Sequence, residues 1–321
     1  MTDVITGAVA LGLVWAIVSI GVWITYRILD FPDLTVEGTI VTGAATTAIM
    51  ITHGVSPLLC LLASFAAGAL CGLITAFLHT RLKIPALLAG ILTNIGLYSI
   101  NIRIMAGTSN ISLLGSRSLI DTFMSFITRV APGGSHSLLA RFLTFLATRN
   151  MTTILIVGIG VICVIALSTW FLRTSYGCSI RATGSNPDMA RAQGININMS
   201  KTVGLMLSNA FVGLGGSLLC QYQGYSDVQM GIGCIVIGLA SLIIGEVLFG
   251  KSSTLHSLIS VSLGAILYRI IIALVIQAGM QPTDLKLFTA ITVALALFLP
   301  TAIIQVKHLR GRLRRRHDAG L

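Results

Sequence analysis

Charge is scarce in this sequence. Of 321 residues, 10 are Asp or Glu, and charged residues of both signs make up 10%. A soluble globule carries about 25%, so most of this chain's surface faces something other than water. Paired cysteines are also lacking. The six cysteines (60, 71, 163, 178, 220 and 234) are scattered, mostly inside apolar runs, with no C-x-x-C. That pattern argues against a disulfide framework or a zinc site and for small buried packing residues. The six histidines (53, 79, 136, 256, 308 and 317) have no metal spacing, and no serine sits in a G-x-S-x-G elbow. A membrane-embedded enzyme would need a clustered acid, base or metal site, and none can be assembled.

What is present is apolar length. The chain is 55% hydrophobic, with mean hydropathy +0.93. Apolar runs of about 20 residues are the mark of membrane-spanning helices. They fall near 5–26, 38–53, 56–79, 84–105, 151–172, 200–221, 231–249, 253–277 and 285–305. The expectation is one all-α polytopic membrane domain over 1–321, with about nine transmembrane helices.

The net charge of +11 does not point to nucleic acid. Its densest cluster is K-H-L-R-G-R-L-R-R-R-H, Lys307 to His317, directly after an apolar span. Such clusters mark the cytoplasmic side and contact anionic lipid. Residues 306–321 therefore read as a basic cytoplasmic tail. Asp3 before the first run and Arg27 after it place the N-terminus outside, and that run is too long, and lacks the basic lead, for a signal peptide. Working back from the tail puts 173–199 and the turn at 80–85 in the cytoplasm. Residues 106–150 fall outside, where Arg117, Arg129 and Arg141 among Leu, Ile and Phe suit amphipathic helices on the outer face.

A repeat runs through the chain. G-T-I-V-T-G-A-A-T at 38–46 matches G-C-I-V-I-G-L-A-S at 233–241, Asp33 and Asp227 precede the two copies, and Gly68-Ala69 lines up with Gly264-Ala265. The copies lie five spans apart, so they run in opposite directions, an inverted repeat of the transporter kind. The competing explanation is chance matching among Gly, Ala, Ile and Val. Polar, Gly/Pro-broken segments, I-L-D-F-P-D-L-T-V-E-G and Y-Q-G-Y-S-D-V-Q-M-G-I-G, precede the matching spans. Broken helices at membrane depth belong where they line a cavity or pack in protein.

One polar stretch stands between two apolar spans: R-A-T-G-S-N-P-D-M-A-R-A-Q-G-I-N, 181–196. Asn186 is a good N-cap, Pro187 fits the first helical position, Asp188 sits in the first turn and Gly194 suits the position just past the end. That outlines a capped helix of about two turns, too short to be stable alone in water. It packs either on its own protein or on a soluble partner.

Within the spans, Asn94, Tyr98 and Asn101 share one helix face at i, i+4 and i+7. They read equally as a pathway face or as interhelical hydrogen-bonding glue. Glu37, Asp227 and Glu246 are the acidic groups near membrane depth that could join a pathway. For Glu246 an ion pair with Arg269 is favoured over a substrate contact. The stretch G-E-V-L-F-G-K-S, 245–252, fits the phosphate-loop pattern G-x-x-x-x-G-K-[ST]. That chemistry needs a strand, a loop and then a helix, whereas Glu246 to Phe249 finish a membrane span, so ATP binding is not expected.

The segment L-R-T-S-Y-G-C-S-I-R-A-T-G-S-N-P-D-M-A-R-A-Q-G-I-N, 172–196, resembles the cytoplasmic coupling loop of bacterial ABC importer permeases of the branched-chain amino-acid, ribose and nucleoside type. The matching residues are Tyr176, Gly177, Arg181, Gly184, Asn186, Ala190, Arg191 and Gly194. D-F-P-D-L-T-V-E-G, L-K-I-P-A-L-L-A-G-I-L-T, L-Y-S-I-N-I-R-I-M-A-G-T-S-N and G-L-A-S-L-I-I-G-E-V-L-F-G look most like the tryptophan-type uptake branch. The resemblance implies a multi-pass permease of the bacterial inner membrane that is not itself catalytic and binds no cofactor. ATP and Mg would sit on a separate ATPase docked at Arg181, Gly184, Asn186, Pro187, Asp188, Arg191 and Gly194. It also implies an extracytoplasmic binding protein, a second permease copy and an amino-acid cargo, an aromatic one fitting the tryptophan-type branch, with sugars and nucleosides as the open alternatives. The alternative is an ATP-independent secondary transporter or channel, for which Glu246 and Glu37 are the available coupling acids.

Overall fold

The computed structural model describes residues 2–130, 148–279 and, beyond them, 281, 284, 287–292, 294 and 298. The chain is a bundle of long helices. They are α1 (Thr2–Trp23, continued by a π-helical turn Ile24–Ile28), α2 (Thr35–Thr52), α3 (Pro57–Thr80), α4 (Ala86–Ile104), α5 (Leu119–Val130), α6 (Arg149–Arg173), α7 (Ser175–Ser185), α8 (Pro187–Ala192), α9 (Ile197–Gln223), α10 (Cys234–Phe249) and α11 (Thr254–Gln277). The strands β1 (Asn110–Ser112) and β2 (Tyr225–Asp227) pair antiparallel, Ile111 opposite Ser226.

Among the described residues seven helices are long and apolar enough to cross a membrane. The chain is an all-α polytopic membrane protein, and the expectation of about nine spans is approximate, differing among the described residues at one place. The expected span at 38–53 is α2, which carries six threonines in 18 residues and is too polar to qualify. It is buried in protein instead, its threonines returning hydroxyls to carbonyls one turn back, Thr39 to Thr35 and Thr42 to Gly38 at 3.0 Å each. The expected ninth span lies largely outside the described residues, as do the basic tail 306–321 and residues 131–147 of the 106–150 segment. The described part of that segment holds β1 and the amphipathic helix α5. The strand pairing was not expected from sequence.

The two repeat copies occupy equivalent places. Helices α1 and α9 cross at the centre, antiparallel: Gly7 meets Tyr222, Gly21 meets Ser208, and Gly204 meets Leu29. Helix α2 runs parallel to α9, with Thr39 on Asn209, Gly43 on Gly213 and Thr47 on Ser217. Helix α10 runs parallel to α1, with Gly238 on Val22 and Glu246 on Arg27. Each copy's second helix thus packs beside the first helix of the other half, and α2 and α10 point in opposite directions. The paired aspartates also do the same work. Asp33 Oδ1 accepts from Thr35 N at 2.9 Å, and Asp227 Oδ1 accepts from Gln229 N at 2.7 Å. Gly68 and Gly264 do not match in this way: Gly68 faces Asn209 of α9, whereas Gly264 faces Ser241 of α10.

Small residues allow this packing. Gly43 faces the Gly213 backbone, Gly216 faces the Ile40 carbonyl, and Gly68 and Gly72 face the Asn209 and Leu205 carbonyls. Between membrane helices, close approach of this kind replaces hydrophobic drive with van der Waals contact. The buried core follows the same centre, with Ile17, Ile20, Val36, Ile40, Phe211 and Val212 all at most 1% exposed.

Candidate functional site

Both expected breaks precede the repeat helices. Residues 29–34 join the π-helical turn to α2 without regular structure, and β2 with a 3-10 turn (Val228–Gly231) leads into α10. Gly38, four residues into α2, lies against Asn94 and Leu97. These are residues nine and twelve of the 19-residue helix α4. The start of α2 is therefore level with the middle of a membrane span. The start of α10 arrives at the same level from the other side. Gly231 lies against the Glu37 carbonyl, and Gly233 N donates to Glu37 Oε1 at 2.9 Å.

A cavity of about 400 Å³ opens at this junction, lined by Glu37, Gly38, Val41, Asn94, Ile95, Tyr98, Ser99, Asn101, Val228, Gln229 and Ile232. The expected face of α4 therefore does converge, and with Glu37. Asn101 is 1% exposed, donates from Nδ2 to Gly38 O at 3.2 Å, and keeps Oδ1 without a hydrogen-bond partner among the described residues. Tyr98, Ile95 and Ile232 stand exposed at the mouth. Asp227 is beside the cavity rather than in it: its Oδ2 accepts from Asn110 Nδ2 at 3.1 Å, tying β1 to the turn that carries Val228 and Gln229.

Glu246 is elsewhere. It lies 3.2 Å from Arg27 and 3.9 Å from Lys251, and not beside Arg269. The expected Glu246–Arg269 pair fails on geometry. Helices α10 and α11 form an antiparallel pair, with Gly245 on Ser260 and Ser241 on Gly264. Arg269 is then several residues, at about 1.5 Å each, farther along the bundle. Its guanidinium sits 4.4 Å from the Trp15 ring centroid instead.

Beneath the cavity runs a buried polar chain that sequence reasoning missed. Asn209 Nδ2 donates to Asp33 Oδ2 at 2.7 Å, and Thr39 donates to Asn209 Oδ1 at 2.7 Å. Thr35 and Thr75 share a 2.6 Å hydrogen bond, and Thr75 donates to Thr93 at 3.0 Å. The one readable signal was an asparagine inside an otherwise apolar span. In the connection before α2, burial pushes the Asp33 carboxyl up from its ordinary value, against the lowering effect of hydrogen bonds from Thr35 and Asn209.

The stretch 181–196 forms two helices rather than one. The unexpected one, α7, is capped by Thr174, whose hydroxyl accepts from Gly177 N at 3.3 Å. The expected one, α8, is built as read. Asn186 Oδ1 accepts from Met189 N at 3.0 Å, Pro187 opens the helix, and Gly194 takes φ +80°. Gly194 N reaches Arg191 O and Ile195 N reaches Ala190 O, both at 3.0 Å, closing a Schellman end. Ala190 is buried, while Pro187, Asp188, Met189 and Arg191 are exposed. Gly184 lies against the Ile28 carbonyl, so α7 seats directly on the turn leading to α2. Arg181 is half-buried, its guanidinium on Cys178 Sγ at 3.2 Å. This end of the bundle also holds Arg27, Arg81, Lys83, Arg173, Lys201 and Lys251. His79 is half-buried between Lys201 Nζ (3.0 Å) and Ile84 O (2.9 Å). The G-E-V-L-F-G-K-S stretch is the last turn of α10, a turn at Gly250 and the approach to α11, with no strand before it.

Comparison with known proteins gives a consistent picture. The model of the family described as branched-chain amino acid transport system / permease component matches residues 4–302. The tyrosine transport system permease protein of Clostridioides difficile is 38% identical over 301 residues, covering 94% of this chain and 92% of the relative. The guanosine ABC transporter permease protein NupQ of Bacillus subtilis is 26% identical, over 67% of this chain and 66% of its own. The galactose/methyl galactoside import permease protein MglC of Haemophilus influenzae is 24% identical, over 69% of this chain and 60% of its own. No solved structure matches significantly.

Proposed function

This chain belongs to the branched-chain amino acid transport permease family, and from that premise we propose that it forms the pathway of an ATP-driven importer for an amino acid with an aromatic side chain. It is an ABC permease and a multi-pass protein of the bacterial inner membrane. The hydrolysis of ATP, with Mg, belongs to a separate ATPase subunit. The observation that carries this reading is α8. It is a fully capped six-residue helix that anchors itself by Ala190 and offers Asp188, Met189 and Arg191 outward. A helix so short is not stable for its own sake, and it follows α7, whose Gly184 sits on the Ile28 turn that leads to α2 and the cavity.

The basic end of the bundle is the cytoplasmic side by the excess of Lys and Arg there. Arg181, Gly184, Asn186, Pro187, Asp188, Arg191 and Gly194 then present or shape the ATPase docking element. The opposite end, with β1, β2 and α5, receives the binding protein. Glu37, Asn94, Tyr98 and Asn101 line the pathway, with Asp227 shaping its rim, while Glu246 is a structural ion-pair residue at the cytoplasmic end. A carboxylate level with the middle of a span is costly against lipid. That cost supports a second permease copy covering the cavity mouth. The aromatic amino acid rests on the C. difficile relative named for tyrosine. Movement of α8 by the ATPases would rock the halves around the cavity.

The test is affinity capture of the ATPase. The wild-type permease retains it. The Arg191→Glu, Ala190→Pro double variant loses it while still inserting in the membrane. Equal capture by both contradicts the proposal.

A further inference from the structure

The cavity at the junction of α2, α4 and α10 has a chemistry of one sign. Its lining holds one carboxylate, Glu37, and no Lys, Arg or His. Glu37 Oε1 is held by Gly233 N at the opening of α10. The N-terminus of a 16-residue helix favours an anion there. That bond occupies one carboxylate oxygen, and among the described residues the other takes no hydrogen bond. Among the described residues a second acceptor is also unmatched: Asn101 Oδ1, on a side chain 1% exposed, has no hydrogen-bond partner. A buried polar atom left without a partner is costly, so its persistence beside an open cavity points to a ligand donor. Tyr98, 56% exposed at the mouth, offers a ring face. The cavity of about 400 Å³ lies in the range of small-molecule sites.

We infer that this cavity is a recognition station for the ammonium group of the cargo. The ammonium is held by the free oxygen of Glu37 and by Asn101 Oδ1, and the aromatic side chain lies on Tyr98. The inference rests on the amino-acid reading above and gives it a residue-level basis. Neutral cargo such as a nucleoside or a sugar brings hydroxyl and amine donors but no positive charge to pair with Glu37. An ammonium provides three donors and a charge, and charge-assisted hydrogen bonds are the strong ones. Because α2 and α10 belong to the two repeat halves, an ammonium bound at Glu37 bridges them at the point where rocking must pass.

The experiment uses the permease with its ATPase and binding protein in proteoliposomes, and radiolabelled L-tyrosine and guanosine as probes. Glu37→Gln is isosteric and keeps an acceptor for Gly233 N, so it removes charge while leaving the junction intact. Three quantities are read: L-tyrosine uptake, ATP hydrolysis stimulated by the loaded binding protein, and complex assembly. The expected result is uptake lowered at least about tenfold by Glu37→Gln, with assembly and stimulated hydrolysis retained and partial recovery in Glu37→Asp. Wild-type rates of L-tyrosine uptake in Glu37→Gln overturn the inference and leave the importer reading standing. A wild-type complex that moves guanosine and not L-tyrosine overturns both the amino-acid reading and this station.

Discussion

Gly233 N donates to Glu37 Oε1 across 2.9 Å, so the first turn of one repeat copy holds a carboxylate of the other. The bond joins two helices that start near the middle of the bundle and run in opposite directions. It makes the cavity a place where the halves meet, instead of a gap within one of them.

The seat of α7 on the first helix should be intolerant of any side chain. Gly184 touches the Ile28 backbone, so Gly184→Val forces the two elements apart. Overpacking of this kind costs about 1–3 kcal/mol. The expected outcome is a lowered melting temperature in detergent and loss of ATP-coupled uptake, with α8 itself still formed. Uptake at the wild-type rate would show that this contact transmits nothing.

The cap of α8 has a separable effect. Asn186→Ala removes the acceptor for Met189 N, and a lost N-cap costs about 1 kcal/mol of local helix stability. Global melting should barely move, because α8 is an exposed appendage. Hydrogen exchange at Met189 and Ala190 should accelerate about fivefold, by the same energy, and ATPase capture should weaken.

Asp33 gives a pH dependence with a defined sign. Burial raises its folded value, so its contribution to stability is fully present below the ordinary carboxylate value. That contribution is lost as pH rises through the raised value. Comparing thermal stability of wild type and Asp33→Asn across that interval should show the wild type losing ground toward higher pH. A wild-type advantage that grows with pH contradicts the assignment of burial as the dominant cause.

The Glu246 ion pair can be separated from the pair expected by sequence with a double-mutant cycle. Arg27 is 41% exposed at the side chain, and exposed pairs are worth about 0.2–1 kcal/mol. Arg27→Ala and Glu246→Ala should therefore couple within that range. Arg269→Ala and Glu246→Ala should be additive, because Arg269 packs on Trp15.

Much of this architecture was legible because it is written in short-range chemistry. Apolar length located the helices, and Asn186, Pro187 and Gly194 located α8 and both its ends. The face Asn94, Tyr98, Asn101 was readable from helical period alone. What failed depends on three-dimensional register. Glu246 and Arg269 lie on consecutive helices, but antiparallel pairing sets them apart along the bundle. The Asp33–Asn209 bond joins residues 176 apart in sequence, and no local pattern announces it. Helix α7 escaped because its glycines and serines read as loop, whereas Gly177 and Gly184 permit backbone contacts with Leu172 and Ile28. Helix α2 read as a span, but its six threonines leave it too polar to cross lipid and it is buried in protein instead.

The most direct test of the central claim is the energy source of uptake. Permease, ATPase and binding protein are placed in proteoliposomes with ATP inside, and L-tyrosine uptake is followed with and without an ionophore that collapses ion gradients. The account predicts uptake that stops without ATP and continues with the ionophore. Uptake that survives ATP removal and stops with the ionophore would contradict it and identify a gradient-driven transporter.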